Sequence, residues 1–520
     1  MQESLSDILR ALPTRVGDIV GSWSDRSPNQ SAIVEGADTW TYRQLATVIS
    51  GAQAWLRSLG VRAGDRVMIV GENGRAFVAV FFAAAGLDAW PVLVNARLSA
   101  REIDGIRAHC GARRVIYTTS VSPHAFDHAK RHRALIEEVA HVGAVGVSPL
   151  EDRVHPEPID PDPSNRVAAV IYTSGTTALP KGVMLTHRNL LFIAAVSAKI
   201  RSLTPQDRLY GVLPMSHAVG LSVVLLGSLL SGATLYLCPR FDPMAARVAL
   251  EKDRLTVVLG VPSMFAQFLQ YAKFRGLDSL KLPALRIISS SGAPLDSATK
   301  RATEAFFGLS LHNGYGITEC SPTIAQTRVE TPRSDVSVGR LLPGVEAKFM
   351  GADGEEVATG EVGELRVRGP NIMKGYYRDP DATAAAIDRE GWFNTGDLAK
   401  LDDGHLFIVG RTKDLIVRSG FNVYPAEVEA VLNAHPAVFR SAVIGQSVGS
   451  DEQVLAFVEV VPGQSVLVRD LEDYAAKNLA PYKRPSRIWI VLGMPVTPTG
   501  KVAKAELAKM VMRETQAVMN

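Results

Sequence analysis

Cysteine is scarce. Cys110, Cys238 and Cys320 are the three in 520 residues. Their odd number and wide spacing argue against a disulfide framework or a zinc site and suit a reducing compartment. Each reads as a small buried apolar residue rather than a nucleophile. Excess charge is lacking too. A net charge of +3, from 56 basic and 53 acidic residues, argues against a general nucleic-acid or membrane-surface binder. Internal repeats and low-complexity tracts are absent. Residues 1–10 carry acids and no long apolar core, unlike a secretory signal or a transit peptide, so a cytoplasmic location is expected. Residues 209–239 contain no Asp, Glu, Lys or Arg. Interrupted by Gly220, Gly227 and Gly232, they read as a buried helix and a strand, not an integral membrane span.

A chain of this length exceeds one compact core, so two or more domains are expected. Its composition, 47% hydrophobic and 21% charged, is that of an ordinary globular protein. Short apolar runs at 67–70, 89–94 and 114–117 alternate with helical patterns at 76–86 and 102–110. Strand–helix alternation of this kind argues for layered α/β architecture. A first strand is expected at 41–45 and a helix from there to Leu59. Further strands are expected at 256–260, 285–289 and 309–312, the last two running into turns. From about 335 to 410 short strands separated by Gly, Pro and Asp read as a small β-rich subdomain. A compact tail follows Arg411, with strands at 441–444 and 455–461 and helices at 425–434, 468–478 and 503–517.

The chain is organised around Tyr172-Thr-Ser-Gly-Thr-Thr-Ala-Leu-Pro-Lys181. An apolar strand, 167–172, leads into it, and a helix is expected after it. Small and hydroxylic residues with free backbone N–H groups form nests for oxygen anions, and Lys181 adds a charge. The Walker A spacing is absent, so this is a different phosphate loop. Other stretches punctuate the chain in the same way: Leu213-Pro-Met-Ser-His217-Ala-Val-Gly220, Ser291-Gly-Ala-Pro294, Asn313-Gly-Tyr-Gly-Ile-Thr-Glu319, Trp392-Phe-Asn-Thr-Gly-Asp397, Gly410-Arg-Thr-Lys413-Asp414, Ser419-Gly-Phe421 and Pro498-Thr-Gly-Lys501.

Together and in this order, these stretches resemble the adenylate-forming superfamily of acyl-CoA synthetases, adenylation domains and beetle luciferase. The resemblance runs from Thr41 to Lys501. It implies an α/β fold with a large N-terminal domain, residues 1–411, of layered α/β subdomains plus the β-rich part. A small mobile α+β C-terminal domain, 412–520, would turn about a hinge at Lys413. The implied reaction converts a carboxylic acid and ATP to an acyl-adenylate and pyrophosphate. Coenzyme A then attacks to give acyl-CoA and AMP. Loading of a carrier-protein phosphopantetheine is the alternative acceptor step.

The resemblance also implies roles. Thr173, Ser174, Gly175, Thr176, Thr177 and Lys181 would cover the ATP phosphates. Gly292, Ala293 and Pro294 would lie along adenine, with Asn313, Gly314, Tyr315 and Gly316. Thr318 would contact the α-phosphate, and Glu319, with Thr176, would hold Mg²⁺, a hard cation that prefers oxygen ligands. Asp397 would accept from the ribose hydroxyls, with Arg411 beside it, and Lys501 would act in adenylation. His217, Val219, Gly220, Leu221, Met264, Ser291 and Ile317 would line the acyl pocket. Ser419, Gly420 and Phe421 would line the coenzyme A tunnel.

Ala178 stands where the family usually has glycine, which would stiffen the loop. Gln267 stands where members taking malonate-type diacids carry arginine, so a short diacid is not expected. The mostly apolar pocket suits an aryl or medium-chain acid. A homodimer is admissible; the sequence does not set the oligomeric state.

Overall fold

A computed structural model describes residues 5–173, 180–418, 421–448, 451–496 and 502–519. Among them lie a sheet of eight strands, one of nine, one of four and smaller sheets of three and two. The expected alternation is present. Arg66–Gly71, Trp90–Asn95 and Arg114–Thr118 are buried parallel strands, with helices Arg75–Gly86 and Ala100–Cys110 between them. Their apolar runs are continuous because helices cover parallel sheets on both faces. One correction falls at the start. The strand lies earlier than expected, at Asp38–Thr41, and Tyr42, inside the expected strand 41–45, already opens a helix reaching Ser58. Thr41 and Gln44 form a reciprocal capping box there, which places the boundary.

The elements that build the site come from both large sheets. In the eight-stranded sheet, β1 (Val167–Thr173) pairs antiparallel with β2 (Lys181–Thr186), and α1 (His187–Ile200) follows. The phosphate loop therefore joins two strands of a hairpin, not a strand and a helix as expected. The nine-stranded sheet contributes β3 (Ile287–Ser290), β4 (Leu311–Gly316) and β5 (Thr323–Gln326). The chain then crosses to the edge of the first sheet, where β6 (Gly375–Tyr376) pairs with β2. Finally β7 (Phe393–Asp402) and β8 (His405–Arg411) form a hairpin in the four-stranded sheet, within the β-rich stretch that the sequence marks.

The uncharged stretch folds as a π-helix, Val219–Leu226, a short α-helix, Gly227–Leu230, and a strand, Thr234–Leu237. No described helix is long and apolar enough to cross a membrane. Past Arg411 two separate apolar clusters form, around Val423, Val454 and Leu471 and around Phe457 and Leu507. They are the cores of a small C-terminal α+β unit. All three cysteines are free thiols, Cys110 and Cys320 buried. Burial pushes the Cys110 thiol up to about 12, as expected of a packing residue.

Candidate active site

Asp397 is the best-defined part of the site. It lies in β7 directly across from Arg411 in β8. Its side chain is 4% exposed, and Oδ1 accepts from Arg411 Nε at 3.0 Å. Oδ2 accepts from the Tyr315 hydroxyl. Burial, then Asp397, raises the Tyr315 phenol well above its ordinary range, so it stays a donor. A cavity of about 370 Å³ opens here, lined by Thr395, Gly396, Arg411, Thr412 and Lys413. Three stretches separated by up to 96 positions thus meet around one carboxylate. A two-oxygen acceptor beside an aromatic ring and a guanidinium suits a ribose with its base and phosphates.

Asn313 behaves differently from the expectation. Its amide nitrogen donates to the Val336 and Ser337 carbonyls, and its Oδ1 accepts from Gly314 N. The side chain is committed to holding β4, and its backbone N–H and carbonyl are both paired with Thr327. The turn expected at 313–316 is itself strand: β4 runs through Gly316 because β5 returns antiparallel along it. Gly316 is needed there, since a Cβ would stand 2.0 Å from the Pro322 carbonyl oxygen. Gly292 has φ +80, the left-handed region that favours glycine; Ala293 and Pro294 follow it past the end of β3.

Thr318 and Glu319 open a single 3-10 turn, Thr318–Cys320, beyond β4. Here the structure adds a residue that the sequence reading missed. The Tyr376 hydroxyl donates to Glu319 Oε1 at 3.0 Å, and Lys181 Nζ lies 4.7 Å from the centre of the Tyr376 ring. Burial raises the Tyr376 phenol, so it too stays a donor. One side chain thereby bridges the loop lysine and the expected metal carboxylate. Nothing local could signal this, because Tyr376 is 57 residues from Glu319. Thr173 ends β1, paired with Lys181. Among the described residues no three His, Cys, Asp or Glu cluster as a metal cage. Glu319, a half-buried carboxylate with Oε1 bonded by Tyr376, fits an ion completed by phosphates and water.

The acyl-pocket candidates line a turn and a helix. His217 N–H donates to the Pro214 carbonyl at 3.0 Å. Gly220 packs on that carbonyl, and a Cβ there would stand 2.1 Å from its oxygen. Gly220 is therefore a close-approach residue. Val219 and Leu221 start the π-helix, a distortion frequent at functional sites. Ser222 ties this helix to the Glu319 turn through the Ser321 carbonyl, at 2.6 Å. Met264 is buried near the start of the helix Pro262–Phe274; Ser291 and Ile317 are half-buried.

Lys413 lies in the 3-10 turn Thr412–Asp414 leading out of β8. Phe421 is 55% exposed and stacks on Tyr482 at 4.6 Å. Ser174, Gly175, Thr176, Thr177 and Ala178 of the loop, Ser419, Gly420 and Lys501 lie outside the described residues.

The AMP-binding enzyme family matches residues 21–377, and the AMP-binding enzyme C-terminal domain matches residues 427–501. A feruloyl-CoA synthase of an Amycolatopsis species is 35% identical over 500 residues, covering 94% of this chain and 98% of that protein. 4-Coumarate–CoA ligase 2 of Oryza sativa subsp. japonica is 33% identical over 509 residues, covering 90% and 87%. The solved structure of o-succinylbenzoate coenzyme A synthetase from Bacillus subtilis with ATP and magnesium ion superposes with a TM-score of 0.81. It is 28% identical, with coverage of 94% and 99%. The chain belongs to the AMP-binding enzyme family and is an adenylate-forming acid–CoA ligase.

Proposed function

We propose that this ligase activates a hydroxylated aryl acid of the cinnamate type. The observation that carries the nucleotide half of this reading is the buried Asp397 carboxylate, held by Tyr315 and Arg411 beside a cavity. Similarity over nearly the whole chain to feruloyl- and 4-coumarate-activating enzymes supports the acyl half. A carboxylate oxygen attacks the α-phosphate of ATP, and the bond to pyrophosphate breaks. The coenzyme A thiol then attacks the adenylate carbonyl, and AMP leaves. Lys181, Thr318 and Lys501 would offset the repulsion between acid and polyphosphate. Glu319 would hold Mg²⁺, which supplies further charge neutralisation when bound. Residues 1–411 would hold the ATP and acyl sites, and 412–520, which carry Lys501, would move about Lys413.

Coenzyme A-dependent AMP release from a panel of 4-coumarate, ferulate, benzoate, octanoate and malonate tests the reading. The two hydroxycinnamates should show the highest kcat/KM. Dominant octanoate turnover would overturn the aryl assignment, and AMP release only with a carrier protein would overturn the acceptor.

Tyr376 gives a second test, aimed at the metal. Tyr376→Phe keeps the ring beneath Lys181 but removes the hydrogen bond to Glu319. Half-saturating Mg²⁺ should rise by about tenfold, as for loss of one charge-assisted hydrogen bond, with KM for the acid unchanged. Rates titrated against free Mg²⁺ would decide it; an unshifted titration would remove Tyr376 from the metal site.

A further inference from the structure

Gln326 is a buried polar side chain with no hydrogen-bond partner among the described residues. It is 1% exposed, and this holds for both its Oε1 and its Nε2. A carboxamide offers two donors and two acceptor lone pairs. Protein interiors rarely leave such groups unpaired, because desolvation is then uncompensated.

The sheet register says what faces it. Gln326 ends β5 and lies opposite Gly314 in β4. Opposed residues of an antiparallel pair share a face, and neighbours along a strand alternate faces. Asn313 and Tyr315 therefore project from the other face. There Asn313 meets the Val336 and Ser337 carbonyls and Tyr315 meets Asp397. That is the nucleotide side. Ser290 pairs with Asn313, so Ser291 follows on the Gly314 side, with Gln326. This is the side of the expected acyl pocket.

Two further features fit. A Cβ on Gly314 would stand in ordinary contact with Gln326 Cγ, at 3.6 Å, so the amide's stem lies over this glycine. His312 shares the face one step deeper. Burial, with Arg201 and Lys300 nearby, lowers its imidazole to about 4, so the floor offers neutral hydrogen-bonding groups. Gly314 also lies inward from the Thr318–Glu319 turn, where the carboxylate would react.

We infer that Gln326 is a specificity-determining residue at the floor of the acyl pocket. Its carboxamide takes a neutral hydrogen-bonding substituent, such as a phenolic hydroxyl, at the end of the acid remote from the carboxylate. The inference rests on the acid-activating reading above.

The test compares kcat/KM for 4-hydroxycinnamate and for cinnamate in the wild type and in Gln326→Met. The wild type should prefer the hydroxylated acid by at least about tenfold, since a site built to bond a hydroxyl rejects the acid lacking it. Gln326→Met should erase that preference while leaving KM for ATP unchanged. Gln326→Leu should behave alike, and its melting temperature should not fall, because no made hydrogen bond is lost. Parity in the wild type, or an equal loss on both acids in the variants, would overturn the inference. If the wild type turns over neither aryl acid, the aryl reading falls by itself. Octanoate and 8-hydroxyoctanoate then make the same comparison, and parity between them overturns Gln326.

Discussion

Asp397→Asn should cost about 10²-fold in kcat/KM for ATP, the size of one lost hydrogen bond to a charged acceptor at roughly 1.5–3 kcal/mol. The wild-type carboxylate accepts at both oxygens, from Arg411 and from Tyr315. An asparagine has one acceptor and one donor, so its amide nitrogen would face either the guanidinium or the phenol. A ribose hydroxyl arriving at that position would meet a donor where the native site has an acceptor. The loss should sit mostly in KM for ATP, with the KM for the acid nearly unchanged. The fold should survive, because Arg411 is 47% exposed and water can take up its charge. Pyrophosphate release measured against ATP concentration checks this. An unchanged KM for ATP would detach Asp397 from the nucleotide. Tyr315→Phe should cost less, since the ring remains to stack and one hydrogen bond is lost.

Lys501→Ala should fall further, by at least about 10²–10³ in the first half-reaction, the usual effect of removing one preorganised charge from a developing anion. Adenylation drives a carboxylate against a polyphosphate, so a nearby ammonium matters more in the transition state than in the ground state. The second half-reaction involves no such approach of anions. Supplied with preformed acyl-adenylate and coenzyme A, the variant should make thioester at near the wild-type rate. Lys413→Pro should do the reverse, sparing adenylation and slowing thioester formation, if the C-terminal unit turns there. ATP–pyrophosphate exchange and single-turnover thioester formation separate the two. Retained exchange in Lys501→Ala would remove the lysine from adenylation. Equal loss of both steps in Lys413→Pro would remove the hinge.

Local chemistry was the readable part of this protein. The apolar runs at 67–70, 89–94 and 114–117 are strands because continuous hydrophobicity demands cover on both faces. The glycine-rich stretch 313–316 misled for an equally physical reason. Glycines signal turns in isolation, but β5 pairs with this segment and holds it extended. The phosphate hairpin was misread in the same way. Lys181–Thr186 has no strong strand pattern of its own, yet β1 on one side and β6 on the other make it a strand.

The reaction class is legible in the sequence. Adenylate formation needs hydroxyls, amides, carboxylates and lysines in set local spacings, and those spacings are written along the chain. The buried parallel strands and the helices between them were legible too, since periodicity and capping act over a few residues. Which partners meet is set by the packed chain: Tyr376 on Glu319, Tyr315 and Arg411 on one Asp397 carboxylate, and Gln326 opposite Gly314. Those contacts join residues from 12 to 82 positions apart. Antiparallel pairing within a sheet makes the two shorter ones; the crossing of the chain between sheets makes the two longer ones, and no short-range pattern encodes such a crossing.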